Sequence, residues 1–169
     1  LQNNTAFHHG GAVYTASDKV YLKDDSVIRN NVAYTGDGGG LYSASQTNLP
    51  ISDGATFDSN RAIKQRGGAI ALRYPVDVTL SNIILQRNEA VYGGALYSPG
   101  GTPQLQIQNT IVDSNTATVS GGGVYSNASI LFYIYDSVFR NNEAHTQNGG
   151  GVYIEPSSNN GVSQQSVLL

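Results

Sequence analysis

Residues 78–97 read V-T-L-S-N-I-I-L-Q-R-N-E-A-V-Y-G-G-A-L-Y, and this stretch decides the fold. Val78 and Leu80 alternate with polar residues and lead to Asn82. Leu85 stands three residues before Asn88, Ala90 two after it, and Gly93-Gly94-Ala95-Leu96-Tyr97 closes the stretch. Alternation at a period of two is the pattern of strands with one buried face, and no stretch has the 3.6-residue period of a helix. The unit recurs along the whole chain. Glycine pairs begin at Gly10, Gly38, Gly67, Gly93, Gly121 and Gly149, spaced 28, 29, 26, 28 and 28 apart. An Asn-x-Ala precedes each: Asn4, Asn31, Asn60, Asn88, Asn115 and Asn142 with Ala6, Ala33, Ala62, Ala90, Ala117 and Ala144. Leu1, Ile28, Phe57, Leu85, Val112 and Phe139 stand three residues before these asparagines. An apolar-x-apolar-x-Asx signature recurs as Val20/Leu22/Asp24, Leu49/Ile51/Asp53, Val78/Leu80/Asn82, Leu105/Ile107/Asn109 and Phe132/Ile134/Asp136.

Three short strands in about 28 residues, repeated six times, predict one all-β domain over residues 1–169. The domain is a right-handed parallel β-helix of about six coils with like residues stacked ~4.8 Å apart. Stacking predicts an amide ladder through Asn4, Asn31, Asn60, Asn88, Asn115 and Asn142. It predicts cross-coil ion pairs Arg29–Asp58, Arg61–Glu89 and Asp113–Arg140, exposed and worth about 0–1 kcal/mol each. It also assigns the glycine pairs to tight arcs where a Cβ would clash or φ must be positive, and the Asx position to a turn.

Composition narrows the function. The chain has 169 residues, 12% charged, with 20 Gly, 16 Asn, 17 Ser and neither Cys, Met nor Trp. Zero Cys removes disulfide scaffolds, zinc ribbons and thiol catalysis. A net charge of -3 argues against nucleic acid as a partner. No run of about 18 apolar residues is present, so no direct membrane insertion is expected. The missing Met reads as a leader removed or a piece of something longer. Leu1 and Leu169, with Val162, Gln164 and Ser166 before the latter, share one phase of the repeat. Strand edges left open there predict excision from a longer solenoid or end-to-end stacking.

Gly-Gly-Ala-[Ile/Leu/Val] stands strictly at Gly10–Val13, Gly67–Ile70 and Gly93–Leu96, and Phe-x-x-Asn at Phe57–Asn60 and Phe139–Asn142. In these motifs the chain resembles the repeats of chlamydial-type polymorphic outer membrane proteins over nearly its whole length. The resemblance implies a passenger segment of a surface-exposed adhesin. The lack of Cys differs from the Cys-rich chlamydial members.

Candidate chemistry is sparse. Right-handed β-helices also carry polysaccharide lyases and hydrolases, whose sites need paired acids in a groove. Here Asp24, Asp25 and Asp53 form the one dense acidic spot, suited to a cation such as Ca²⁺ or to simple turn-holding. His8 and His9 would point to opposite faces of a strand, with His145 far along the chain. Tyr14, Tyr42, Tyr97, Tyr125 and Tyr153 follow the inward residues of the glycine strands. They predict an external column broken by Ala71, which either binds sugar rings or a protein face or shields the coil edge. Asn3-Asn4-Thr5 and Asn127-Ala128-Ser129 are glycosylation acceptor patterns.

The reading that results is a non-catalytic extracellular structural or adhesive β-solenoid, a segment or subunit of a surface filament, without cofactor, metal or catalytic residues. Its expected partners are neighbouring β-helix segments or subunits, end-to-end or lateral, and cell-surface glycans or a host protein. The competing reading is a carbohydrate-active enzyme.

Overall fold

In a computed structural model of the chain, the alternating triplets are strands stacked on their counterparts one repeat away. The structure describes residues 1–155 except 17–19, 21, 23–24, 47, 53, 75, 101–102 and 128–130, together with strand Ser166–Leu168. Four parallel sheets run along one axis. The first holds Leu49–Ile51, Val78–Ser81, Gln104–Gln108, Leu131–Tyr135 and Ser166–Leu168. The second holds Val27–Arg29, Thr56–Asp58, Ile84–Gln86, Ile111–Asp113 and Val138–Arg140. The third holds Thr5–Ala6, Val32–Ala33, Arg61–Ala62, Glu89–Tyr92, Thr116–Ser120 and Glu143–Ala144. The fourth holds Val13–Thr15, Leu41–Ser43, Ile70–Leu72, Leu96–Ser98, Val124–Asn127 and Val152–Glu155. Sheets of five and six strands make a β-solenoid of between five and six coils.

The sequence pattern counted three strands per coil; the structure has four. What reads as one stretch, apolar-x-x-Asn-x-Ala, is two strands joined at a corner. The residue just before each ladder asparagine takes the left-handed conformation there: Asn30, Ser59, Arg87, Ser114 and Asn141 have φ between 54 and 56°. Asn adopts that region readily, Ser and Arg less so. Two further corners are built the same way. The first glycine of each pair has φ between 63 and 71°. Between the first and second sheets, Asp25, Gly54, Asn82, Asn109 and Asp136 have φ from 45 to 82°. In the early coils the left-handed residue is therefore Asp25 or Gly54, one place after the expected turn residues Asp24 and Asp53, which lie outside the described residues.

Side chains fill the interior in columns. Leu49, Val78, Leu105 and Phe132 stack in register, as do Ile28, Phe57, Leu85 and Val112, and all are buried. Leu41, Ile70, Leu96 and Val124 close the core from the fourth sheet. The third sheet buries small side chains, Ala33, Ala62, Ala90 and Ala117 in register.

Beside the alanines, the asparagines form one column. Each amide nitrogen donates to the next coil's Oδ1: Asn4 to Asn31 at 3.0 Å, Asn31 to Asn60 at 2.9 Å, and Asn60 to Asn88 at 3.0 Å. The line continues from Asn88 to Asn115 and from Asn115 to Asn142, both at 2.9 Å. The same Oδ1 accepts the backbone N–H of the preceding asparagine, and the amide nitrogens of Asn60, Asn88, Asn115 and Asn142 also donate to a backbone carbonyl of the coil before. Asn31, Asn60, Asn88 and Asn115 are buried and satisfied in this way. Among the described residues no buried side-chain nitrogen or oxygen lacks a partner.

Of the expected ion pairs, Arg61–Glu89 (2.9 Å) and Arg140–Asp113 (3.0 Å) are present. Arg29 and Asp58 are register partners but do not pair. Arg87, projecting from its left-handed corner, takes the Asp58 carboxylate at 2.7 Å, and Arg29 donates to Gln2 instead. The arginines of these pairs are about half exposed, so water screens the attraction and the pairs index the coils more than they stabilise them.

Candidate functional site

The tyrosines of the fourth sheet do form one outer column, since Val13, Leu41, Leu96, Val124 and Val152 turn inward and the following residue turns out. Tyr14 stacks on Tyr42 (ring centroids 5.5 Å), Tyr97 on Tyr125 (5.6 Å), and Tyr125 on Tyr153 at a tilt (5.4 Å). The column is not the open surface the alternation predicts. Tyr42, Tyr97 and Tyr125 are only 4, 6 and 7% exposed, and only Tyr14 is freely exposed.

The cover comes from a second column that the sequence reading did not use: the residue just before each glycine pair, His9, Asp37, Arg66, Tyr92 and Ser120 among them. Three of them, His9, Arg66 and Tyr92, lean over the tyrosine of the following coil. His9 stacks on Tyr42 at 4.3 Å, and the Arg66 guanidinium lies 4.6 Å above the Tyr97 ring while donating to its hydroxyl at 2.9 Å. Tyr92 meets the Tyr125 ring edge-on at 5.2 Å. Arg66 thereby stands in the aromatic column where Ala71 leaves a gap. Asp37, 6% exposed, fixes it with a two-pronged bond of 3.0 and 3.1 Å. Aligning the residues that precede Gly10, Gly38, Gly67, Gly93 and Gly121 would have revealed this column.

Past Tyr92 the cover thins, because the next pre-glycine residue is the small Ser120. An open trough of about 260 Å³ remains beside Tyr97, Tyr125 and Tyr153, edged by Tyr92, Gln147 and Glu155. The Tyr125 hydroxyl donates to Glu155 at 2.5 Å. Burial, then the Glu155 carboxylate, pushes the Tyr125 hydroxyl far above the ordinary phenol range; burial and Asp37 push Tyr42 up as well.

Asp58 moves the other way. Burial alone would raise it, but hydrogen bonds from Arg87 and Ser59 outweigh that and hold it below the usual carboxylate range. A depressed carboxyl stabilises the fold above its unfolded pKa of about 4 and loses that contribution as pH falls through its folded value. A raised phenol stabilises below about pH 10 and loses that contribution as pH climbs through its folded value. Thermal melts across pH should therefore show a plateau between about pH 5 and 9, falling on both sides. Asp58→Asn should flatten the acid side; an unchanged acid limb in that variant would remove Asp58 from the account.

The remaining candidates are scattered. A second depression, about 500 Å³, lies along the corner carrying Asp25, Asn82, Asn109 and Asp136. Asp25 and Asp136 are four coils apart, ~19 Å along the axis, whereas paired glycosidase acids sit about 5–9.5 Å apart. His8 contacts Thr35, and His145 lies beside Glu143. Among the described residues no group of three metal-ligating side chains is placed to hold an ion. Asp24 and Asp53 lie outside the described residues, as do Val162, Gln164, Leu169 and residues 128–129 of the second acceptor pattern. Asn3 occupies an exposed left-handed position. Among the described residues no helix is long and apolar enough to cross a membrane.

The stacked parallel coils agree with the family whose sequence pattern the chain matches, the right-handed β-helix region, over residues 20–168. The chain belongs to that family. As a right-handed β-helix it is similar to the probable outer membrane protein pmp19 of Chlamydia pneumoniae, at 30% identity over 84% of this chain and 17% of that protein. It is also similar to the probable autotransporter YfaL of Escherichia coli K12, at 29% identity over 80% of this chain and 10% of that one. A third relative is the metabotropic glutamate receptor-like protein R of Dictyostelium discoideum, at 26% identity over 84% of this chain and 8% of that protein. The β-helix thus spans less than a fifth of the length of these relatives. No solved structure matches it.

Proposed function

We propose that this β-helix is a non-catalytic section of an extracellular, cell-surface solenoid. It supplies length and stiffness, and its outer faces make the contacts, with neighbouring β-helix segments or subunits end-to-end or laterally, and with cell-surface glycans or a host protein. The observation that carries the reading is the unbroken amide column: buried asparagines in successive coils bind one another, so each coil is rigidly indexed on the next. The relatives named as an outer membrane protein and an autotransporter support the surface setting.

The acids whose contacts are described serve the stack as well. Asp58, Asp113 and Glu89 each bind an arginine of an adjacent coil, and Asp37 holds Arg66. Incubation of the purified chain with acidic and neutral polysaccharides should release neither reducing ends nor unsaturated products, and electron microscopy should show stiff rods or filaments. Product release proportional to protein concentration would overturn the non-catalytic reading; since one chain spans only ~26 Å along the axis, particles that never exceed one chain in length would overturn the end-to-end contact.

A further inference from the structure

We infer that the trough left open at Ser120 is a binding site for one neutral pyranose ring of a glycan. The inference rests on the surface reading above and names the ligand of one place on that surface. Tyr92 and Ser120 are register partners, each followed by a left-handed glycine. In the upper of these two coils, the Tyr92 ring covers the edge of Tyr125. In the next, the Ser120 hydroxymethyl takes that ring's place at the floor of the trough, buried and hydrogen-bonded to Gln147 and the Asn148 N–H. The resulting space lies beside Tyr153, at the height where the preceding coil places a ring.

Its lining selects the ligand. The half-buried rings of Tyr92 and Tyr153 offer aromatic surface there, Tyr97 and Tyr125, 6 and 7% exposed, add little, and the Gln147 amide and Glu155 carboxylate supply hydrogen-bonding groups. At about 260 Å³ it falls below the roughly 300–1,000 Å³ of sites for drug-sized ligands, so it suits a single ring rather than a buried chain. Charge sets the sign. Arg66 at one end is already bound by Asp37, so it offers an anion little, and Glu155 at the other end repels one. A cation would meet the Arg66 guanidinium already seated on Tyr97. An uncharged polyol with one apolar face meets neither objection.

The test titrates the folded chain by calorimetry or NMR with a panel of neutral methyl hexosides and short oligosaccharides, and separately with an arginine-rich peptide. Wild type should bind at least one sugar. Ser120→Tyr, which copies the neighbouring coil's own residue, should fill the trough and weaken that sugar at least tenfold, with the melt showing what the lost Ser120 hydrogen bonds cost. Gln147→Ala, at an exposed position, serves if the tyrosine variant misfolds, and should weaken binding severalfold. Sugar binding unchanged in these variants, binding of the peptide in place of sugar, or no binding by any sugar in the panel would each overturn the site. None of these outcomes bears on the rod shape or the turnover assay, so the two readings fail separately.

Discussion

Asn88→Ala should lower the unfolding free energy by about 4 kcal/mol, a loss large enough to threaten folding. The side chain is 1% exposed and occupies four hydrogen-bonding positions at once. Its Oδ1 accepts from the backbone and side-chain nitrogens of Asn60, at 2.9 and 3.0 Å. Its Nδ2 donates to Asn115 Oδ1 at 2.9 Å and to the Phe57 carbonyl at 3.0 Å. Alanine removes all of these and leaves buried donors and acceptors without water to replace them, each worth about 1–3 kcal/mol. Asn88→Asp would be no milder, because a carboxylate cannot donate to Asn115 or Phe57 and would be charged in the interior. Chemical denaturation measures the difference. A loss under about 1 kcal/mol would mean that the amide column is ornamental.

Gly94→Ala should be comparably damaging, about 3 kcal/mol or more, with insoluble protein the expected result at 37 °C. A Cβ there would meet the Gly122 carbonyl oxygen at 2.2 Å and the Thr116 oxygen and nitrogen at 2.6 and 2.7 Å. All three atoms are backbone of the next coil, so no side chain can swing away, and the coils would have to separate locally. The control is Gly151→Ala, where a Cβ meets nothing within 4 Å; its stability should stay within about 0.5 kcal/mol of wild type. Equal stability in the two variants would show that coil spacing gives way freely.

The stacking itself was legible because it is written in residues whose type admits one explanation. Inward residues such as Val78, Leu105 and Phe132 recur in register, and a repeated buried Asn has few uses besides an amide column. The extra corner was not legible. It falls on Asn30, Ser59, Arg87, Ser114 and Asn141, and only asparagine advertises a left-handed backbone; Arg87 and the serines are held there by the fold around them. That corner also redirected an ion pair, since it projects Arg87 toward Asp58 ahead of Arg29. The tyrosine column was read correctly in its direction but not in its exposure. Alternation tells which face a side chain takes, not what lies on top of it. The cover comes from His9, Arg66 and Tyr92, which share a place before a glycine pair but no residue type, so only alignment by position brings them together.

The ladder bonds of all four sheets point along the axis and tie each coil to its neighbours. Tension applied along that axis would load those bonds a coil at a time rather than all together. The chain would then yield as a spool pays out thread, each released turn of about 28 residues adding roughly 90 Å of extended length. A tether built this way absorbs a sudden pull by lengthening in steps and leaves the turns farther from the load wound.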